Sequence, residues 1–82
     1  MIPRKRDYRE LVKEVRKQLD LSQEDLAREL GVSFATVNRW ETGRTRPSRL
    51  AIAQLDAFCG RMTEQGALRL PPRLGGSKRK RK

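Results

Sequence analysis

Along this chain the apolar positions recur at helical spacing. Tyr8, Leu11, Val12, Val15 and Leu19 stand at i, i+3, i+4, i+7 and i+11, one stripe of a helix. Asp7 and Glu10 sit near its start and Arg16 and Lys17 near its end, the placement its dipole favours. A shorter stripe follows at Leu26, Ala27 and Leu30. Ser22 precedes it with Asp25 three residues on, a capping-box arrangement with Asp in place of the commoner Glu, and Gly31 can take the left-handed conformation that stops a helix. Ser33 opens a third segment in which Val37 and Trp40 face inward, with Gly43 as its stop. Pro47 disfavours helix at Arg46, so residues 44–47 form a loop. Ser48 then caps a fourth helix with Ala51, Ile52, Leu55, Phe58 and Cys59 on a broad apolar face, and Gly60 is expected to end it. Beyond Arg61 the pattern fails at Gly66, Pro71, Pro72, Gly75 and Gly76, so residues 62–82 are expected to be mostly disordered. The predicted class is all-α: a small bundle of four to five short helices with a disordered basic tail.

Charge changes this picture by its placement. The 82 residues carry 20 Lys and Arg against 10 Asp and Glu, a formal +10. Residues 7–61 are almost balanced, with ten bases and nine acids, whereas 1–6 carry three bases and no acid, and 62–82 seven bases and one acid. The division predicted is a basic N-terminal arm over 1–6, a folded module over 7–61 and a flexible basic tail over 62–82. Basic ends on a near-neutral module seek a polyanion, either nucleic acid or an anionic membrane surface. The closing run Lys78-Arg79-Lys80-Arg81-Lys82 reads equally as a nuclear import signal and as a phosphate-binding arm.

Composition excludes other chemistry. With no His and a single Cys, general acid/base catalysis and metal binding have little to work with, so no enzyme activity, no metal and no cofactor is expected. Cys59 alone permits no intrachain disulfide, which suits a reducing, cytoplasmic setting. No apolar stretch approaches the ~20 residues of a membrane span, and the basic ends lack the large apolar moment needed to anchor them on one, so no membrane association is expected.

Two short helices joined by a tight Gly-containing turn are the supersecondary signature of a helix-turn-helix, whose second helix can enter the DNA major groove. The residues that carry it run Ser22-Gln23-Glu24-Asp25-Leu26-Ala27-Arg28-Glu29-Leu30-Gly31-Val32-Ser33, then Thr36-Val37-Asn38-Arg39-Trp40-Glu41-Thr42-Gly43, then Pro47-Ser48. In order and spacing this resembles the lambda-repressor/Cro-like (XRE-type) helix-turn-helix family over roughly residues 8–59. The resemblance implies a small all-helical DNA-binding domain with residues 34–42 as the recognition helix.

With Val37 and Trp40 turned inward, Ser33, Phe34, Ala35, Asn38 and Arg39 are left on the outer and leading face as candidate base contacts. Arg39 can fork onto guanine O6 and N7, Asn38 can pair with adenine or hold a phosphate, and Phe34 and Ala35 can meet a thymine methyl. Phe34 stands where many relatives carry a polar residue, which also makes it a candidate dimer contact. The resemblance implies that Gln23, at the first turn of the second helix, bonds a backbone phosphate, and that Thr42, Arg44, Arg46 and Arg49 supply the second backbone contact. It also implies a structural ion pair between Arg16 and Glu41. Trp40, at helical spacing from Val37, is assigned to the core.

The function expected is sequence-specific double-stranded DNA binding, as a transcriptional regulator. Two alternatives stand beside it. One is an antitoxin or controller protein that also engages a protein partner through Ala67, Leu68, Leu70 and Leu74; the other is a protein- or RNA-binding adaptor that borrows the fold. A homodimer is a further candidate assembly, weakened because no fifth helix is evident in residues 61–65.

Overall fold

A computed structural model describes residues 5–70, with side chains from Tyr8 onward. Four helices run in chain order: α1 (Lys5–Leu19), α2 (Gln23–Leu30), α3 (Phe34–Thr42) and α4 (Arg49–Glu64). No strand occurs among the described residues. The side chains of the expected basic arm and the whole of the run 78–82 lie outside them, as does Leu74.

The short polar residues between the apolar stripes set where α2, α3 and α4 begin. Ser22 Oγ accepts from Asp25 N at 2.9 Å while Ser22 N donates to Asp25 Oδ2 at 3.1 Å, a complete capping box. Ser33 Oγ accepts from Thr36 N and Ser48 Oγ from Ala51 N, each at 3.1 Å. The hydrogen bonds from Ser22 hold the Asp25 carboxyl below the usual carboxylate range.

Termination follows one rule with different residues. Gly31 (φ 74°) and Gly43 (φ 81°) are left-handed, and the next N–H reaches back five residues, Val32 N to Ala27 O and Arg44 N to Arg39 O, both 2.9 Å. Asp20 does the same for α1 at φ 56°, with Leu21 N on Arg16 O at 2.9 Å. It is the one left-handed residue among those described that is not glycine.

Two boundaries differ from the sequence expectation. Helix α1 starts at Lys5, two residues before Asp7. Helix α4 runs through Gly60 to Glu64, and the left-handed stop is Gly66 (φ 78°), with Ala67 N on Met62 O at 2.9 Å. The cause lies beyond the helix: Leu68 is buried at 3% exposure, and Met62 and Leu70 pack on the core. The extra turn and the Gly66 reversal are what bring Leu68 back to that core, so 62–70 is ordered where irregular chain was expected. Gln18 holds the returning segment by both backbone groups of Arg69, accepting from its N–H and donating to its carbonyl, each at 2.8 Å.

One core serves all four helices. Tyr8, Leu11, Val12 and Val15 of α1 meet Leu26, Ala27 and Leu30 of α2, Val37 and Trp40 of α3, and Ala51, Leu55, Phe58 and Cys59 of α4. Helix α3 packs against both α1 and α2, and α2 also against α4. This leaves the remaining side of α3 without a covering helix. Trp40 lies in the core at 3% exposure.

Candidate nucleic-acid interface

Helix α3 turns Val37, Trp40 and Glu41 towards the core, so its other side faces solvent. Val37, Trp40 and Glu41 are buried, whereas Phe34, Ala35, Arg39 and Thr42 are exposed and Asn38 half-buried. Phe34 is 52% exposed at the leading end, a large apolar ring left in water. Ser33 is exposed too, but its hydroxyl is committed: besides capping Thr36 N it lies 2.8 Å from Thr36 Oγ1. Thr42 Oγ1 donates back to Arg39 O at 3.2 Å.

Three bases follow α3 in the loop and at the start of α4. Arg44, Arg46 and Arg49 are all exposed, and with Arg39 they make no ion pair among the described residues. Arg9 of α1, which the sequence pattern did not single out, joins them. A Cβ placed on Gly43 would lie 2.8 Å from Arg9 Cδ and 2.9 Å from Arg9 Nη1, so the Arg9 side chain lies directly over the Gly43 backbone. That is the carbonyl-rich end of α3, where a guanidinium is favoured by the helix dipole. A signal for it exists in the sequence: Arg9 stands seven residues, two helical turns, before Arg16, and Arg16 also faces α3.

Arg16 and Glu41 tie α1 to α3. Arg16 Nε donates to Glu41 Oε2 at 2.6 Å and Nη2 to Oε1 at 3.0 Å, while Nη1 donates to Leu21 O at 3.1 Å. The fork leaves the Glu41 side chain 5% exposed. The hydrogen bonds to Glu41 raise the Arg16 pKa above its ordinary value. Gln23 is drawn into the same cluster: its Nε2 donates to Glu41 Oε1 at 3.0 Å, and its Oε1 accepts from Asn38 Nδ2 at 3.2 Å. Two residues assigned from sequence to different DNA atoms, Gln23 and Asn38, are thus bonded to each other across the turn, which spacing alone does not reveal.

Tyr8 sets the other side of the basic end. It is buried, and among the described residues its hydroxyl has no hydrogen-bond partner. Burial raises its pKa, Arg46 acts against that shift and Asp56 adds to it. Asp56, the α4 acid that acts on Tyr8, forms no ion pair with Arg46.

Among the described residues no group of His, Cys, Asp and Glu could hold a metal ion, and no helix is long and apolar enough to cross a membrane. No curated protein and no solved structure matches the chain. The sequence model of the helix-turn-helix family matches residues 12–64, a span that takes in most of α1, the capped α2–turn–α3 unit and all of α4. With more than half the chain matched and the four helices in place, this protein belongs to the Cro/C1-type (XRE) helix-turn-helix family of DNA-binding domains.

Proposed function

We infer that the protein is a sequence-specific binder of double-stranded DNA that acts as a transcriptional regulator, with α3 inserted in the major groove. What carries this reading is the division of charge around α3. The acid on that helix, Glu41, is buried and paired, whereas Arg39, Arg44, Arg46 and Arg49 are exposed and unpaired among the described residues. Such a face is complementary to phosphate and to the acceptor edges of bases. Arg39 and Asn38 read base edges, with Ser33, Phe34 and Ala35 at the leading end; the apolar pair Phe34 and Ala35 suits a thymine methyl. Arg44, Arg46, Arg49 and Thr42 hold one stretch of backbone, and Gln23 holds another with the amide hydrogen that Glu41 leaves free. Arg9, over the end of α3, adds a further phosphate contact.

About six neutralised phosphates would give a log–log salt slope of roughly −5. Selection from a random duplex library tests the reading. A recovered consensus, with affinity falling steeply in salt, is the expected result, and an inverted repeat with half-sites about 10 bp apart would report a dimer. Equal binding of duplex DNA, RNA and heparin with no enriched sequence would favour the adaptor reading. The controller reading, in which the C-terminal segment docks a protein, has less to draw on: Leu68 is spent in the protein's own core and Arg69 is held by Gln18.

A further inference from the structure

The Arg16–Glu41 fork has one more donor on it than a structural tie requires. Glu41 Oε1 accepts from Arg16 Nη2 and from Gln23 Nε2, both at 3.0 Å, and Gln23 Oε1 accepts from Asn38 Nδ2 at 3.2 Å. The order of donors and acceptors along this chain is forced from its buried end. A carboxylate only accepts, so Gln23 must turn its NH2 towards Glu41. Its carbonyl then faces Asn38 and can take only the NH2 of Asn38. Two amides by themselves can exchange ends with little change in shape or in hydrogen-bond count. With a carboxylate at the head of the chain, reversing Gln23 would set its carbonyl oxygen against Glu41, and reversing Asn38 alone would set two carbonyls face to face.

We propose that Glu41, acting through Gln23, is a positioning residue for base recognition: the Glu41–Gln23–Asn38 chain holds the Asn38 amide in one sense, so that α3 presents its Oδ1 and its second N–H to a base. This rests on α3 being the groove-reading helix. One acceptor beside one donor is the set that matches N6 and N7 of adenine. A reversed Asn38, its Oδ1 turned to Gln23, would present two donors, a set suited to the O6 and N7 acceptors of guanine. The relay therefore selects adenine over guanine at one base pair, and it does so from a residue buried beneath the surface that meets DNA.

The test compares duplexes that differ only at the base pair whose preference Asn38→Ala abolishes. The wild-type protein is expected to favour adenine over guanine there by about tenfold or more. Glu41→Gln, which can both donate and accept, restores the end-for-end freedom and should bring that ratio towards one while the position read by Arg39 keeps its preference. Gln23→Ala cuts the relay with the Arg16–Glu41 pair left in place, so it carries the test if Glu41→Gln proves unfolded by circular dichroism. Loss of a Gln23 phosphate contact would weaken all duplexes alike and leave the adenine-to-guanine ratio untouched. A full ratio retained in Gln23→Ala overturns the proposal. If Asn38→Ala alters no base preference while Arg39→Ala relaxes one, the relay fails and the recognition-helix reading stands. If neither relaxes any position, that reading fails and takes the relay with it.

Discussion

Arg39 and Arg46 are both exposed arginines, and what separates them is the element that carries each. Arg39 projects from the uncovered side of α3, whereas Arg46 lies in the loop before α4. Arg39→Ala is expected to cost about 1–3 kcal/mol on the preferred site and to relax base choice at one position; Arg46→Ala should weaken every duplex by a similar factor and flatten the salt slope by about one. Competition binding at several salt concentrations reads both quantities, and a uniform loss from Arg39→Ala would remove Arg39 from the base contacts. The positions of both arginines, one on the third helix and one in the loop after it, were legible in the sequence because a Trp-Glu-x-Gly end to that helix fixes where the loop begins. Arg9 was not singled out: its two-turn spacing from Arg16 puts it on the same face of α1, but its place over Gly43 depends on how α1 crosses α3.

At the scale of the element, the caps make two predictions. The Asp25 carboxyl is held low by its bonds from Ser22. Its folded pKa lies below the unfolded value of about 3.9, so its contribution to α2 is complete at neutral pH and is lost as pH falls below about 4 through the lowered pKa. Urea midpoints measured down an acid series should show this loss, and Asp25→Asn should show less of it; equal acid slopes in the two proteins would disprove the assignment. Gly43 ends α3 at φ 81° with Arg9 across its Cα. Gly43→Ala should destabilise by about 1–2 kcal/mol for the left-handed backbone and displace Arg9 as well. Gly31→Ala, where a Cβ meets nothing within 4 Å, should show the backbone cost alone. Comparing the salt slopes of the two variants separates the effects, since only Gly43→Ala is expected to reduce the slope. The capped starts of α2, α3 and α4 were readable because each depends on residues three apart. The end of α4 was not, because Gly60 and Gly66 are both permissible stops, and the choice between them depends on Leu68 reaching the core.

For the whole molecule, one continuous core means that no helix can leave without exposing the others. Cys59 reports this. It is buried on α4, and burial together with nearby Asp56 pushes its thiol up to about 12. Only the thiolate reacts, so labelling requires the core to open. At pH 8 the labelling rate should fall below that of a free thiol by the equilibrium constant for unfolding, and should rise in step with unfolding when urea is added. Labelling as fast as in a short peptide would mean that α4 opens independently of the rest.

The four helices, the capped starts of α2, α3 and α4, the buried stripes and the family could all be read from the order of residues, because each rests on contacts within about one helical turn or on spacings along the chain. Tertiary structure alone decided what joins elements distant in the chain. It set Arg9 over the end of α3, carried α4 four residues past the expected glycine to Glu64, and returned Leu68 to the core. It also bonded Gln23 of α2 to Glu41 and Asn38 of α3. A side chain's hydrogen-bond partners depend on which helices cross and at what depth, and periodicity shows which face is buried without showing what it is buried against.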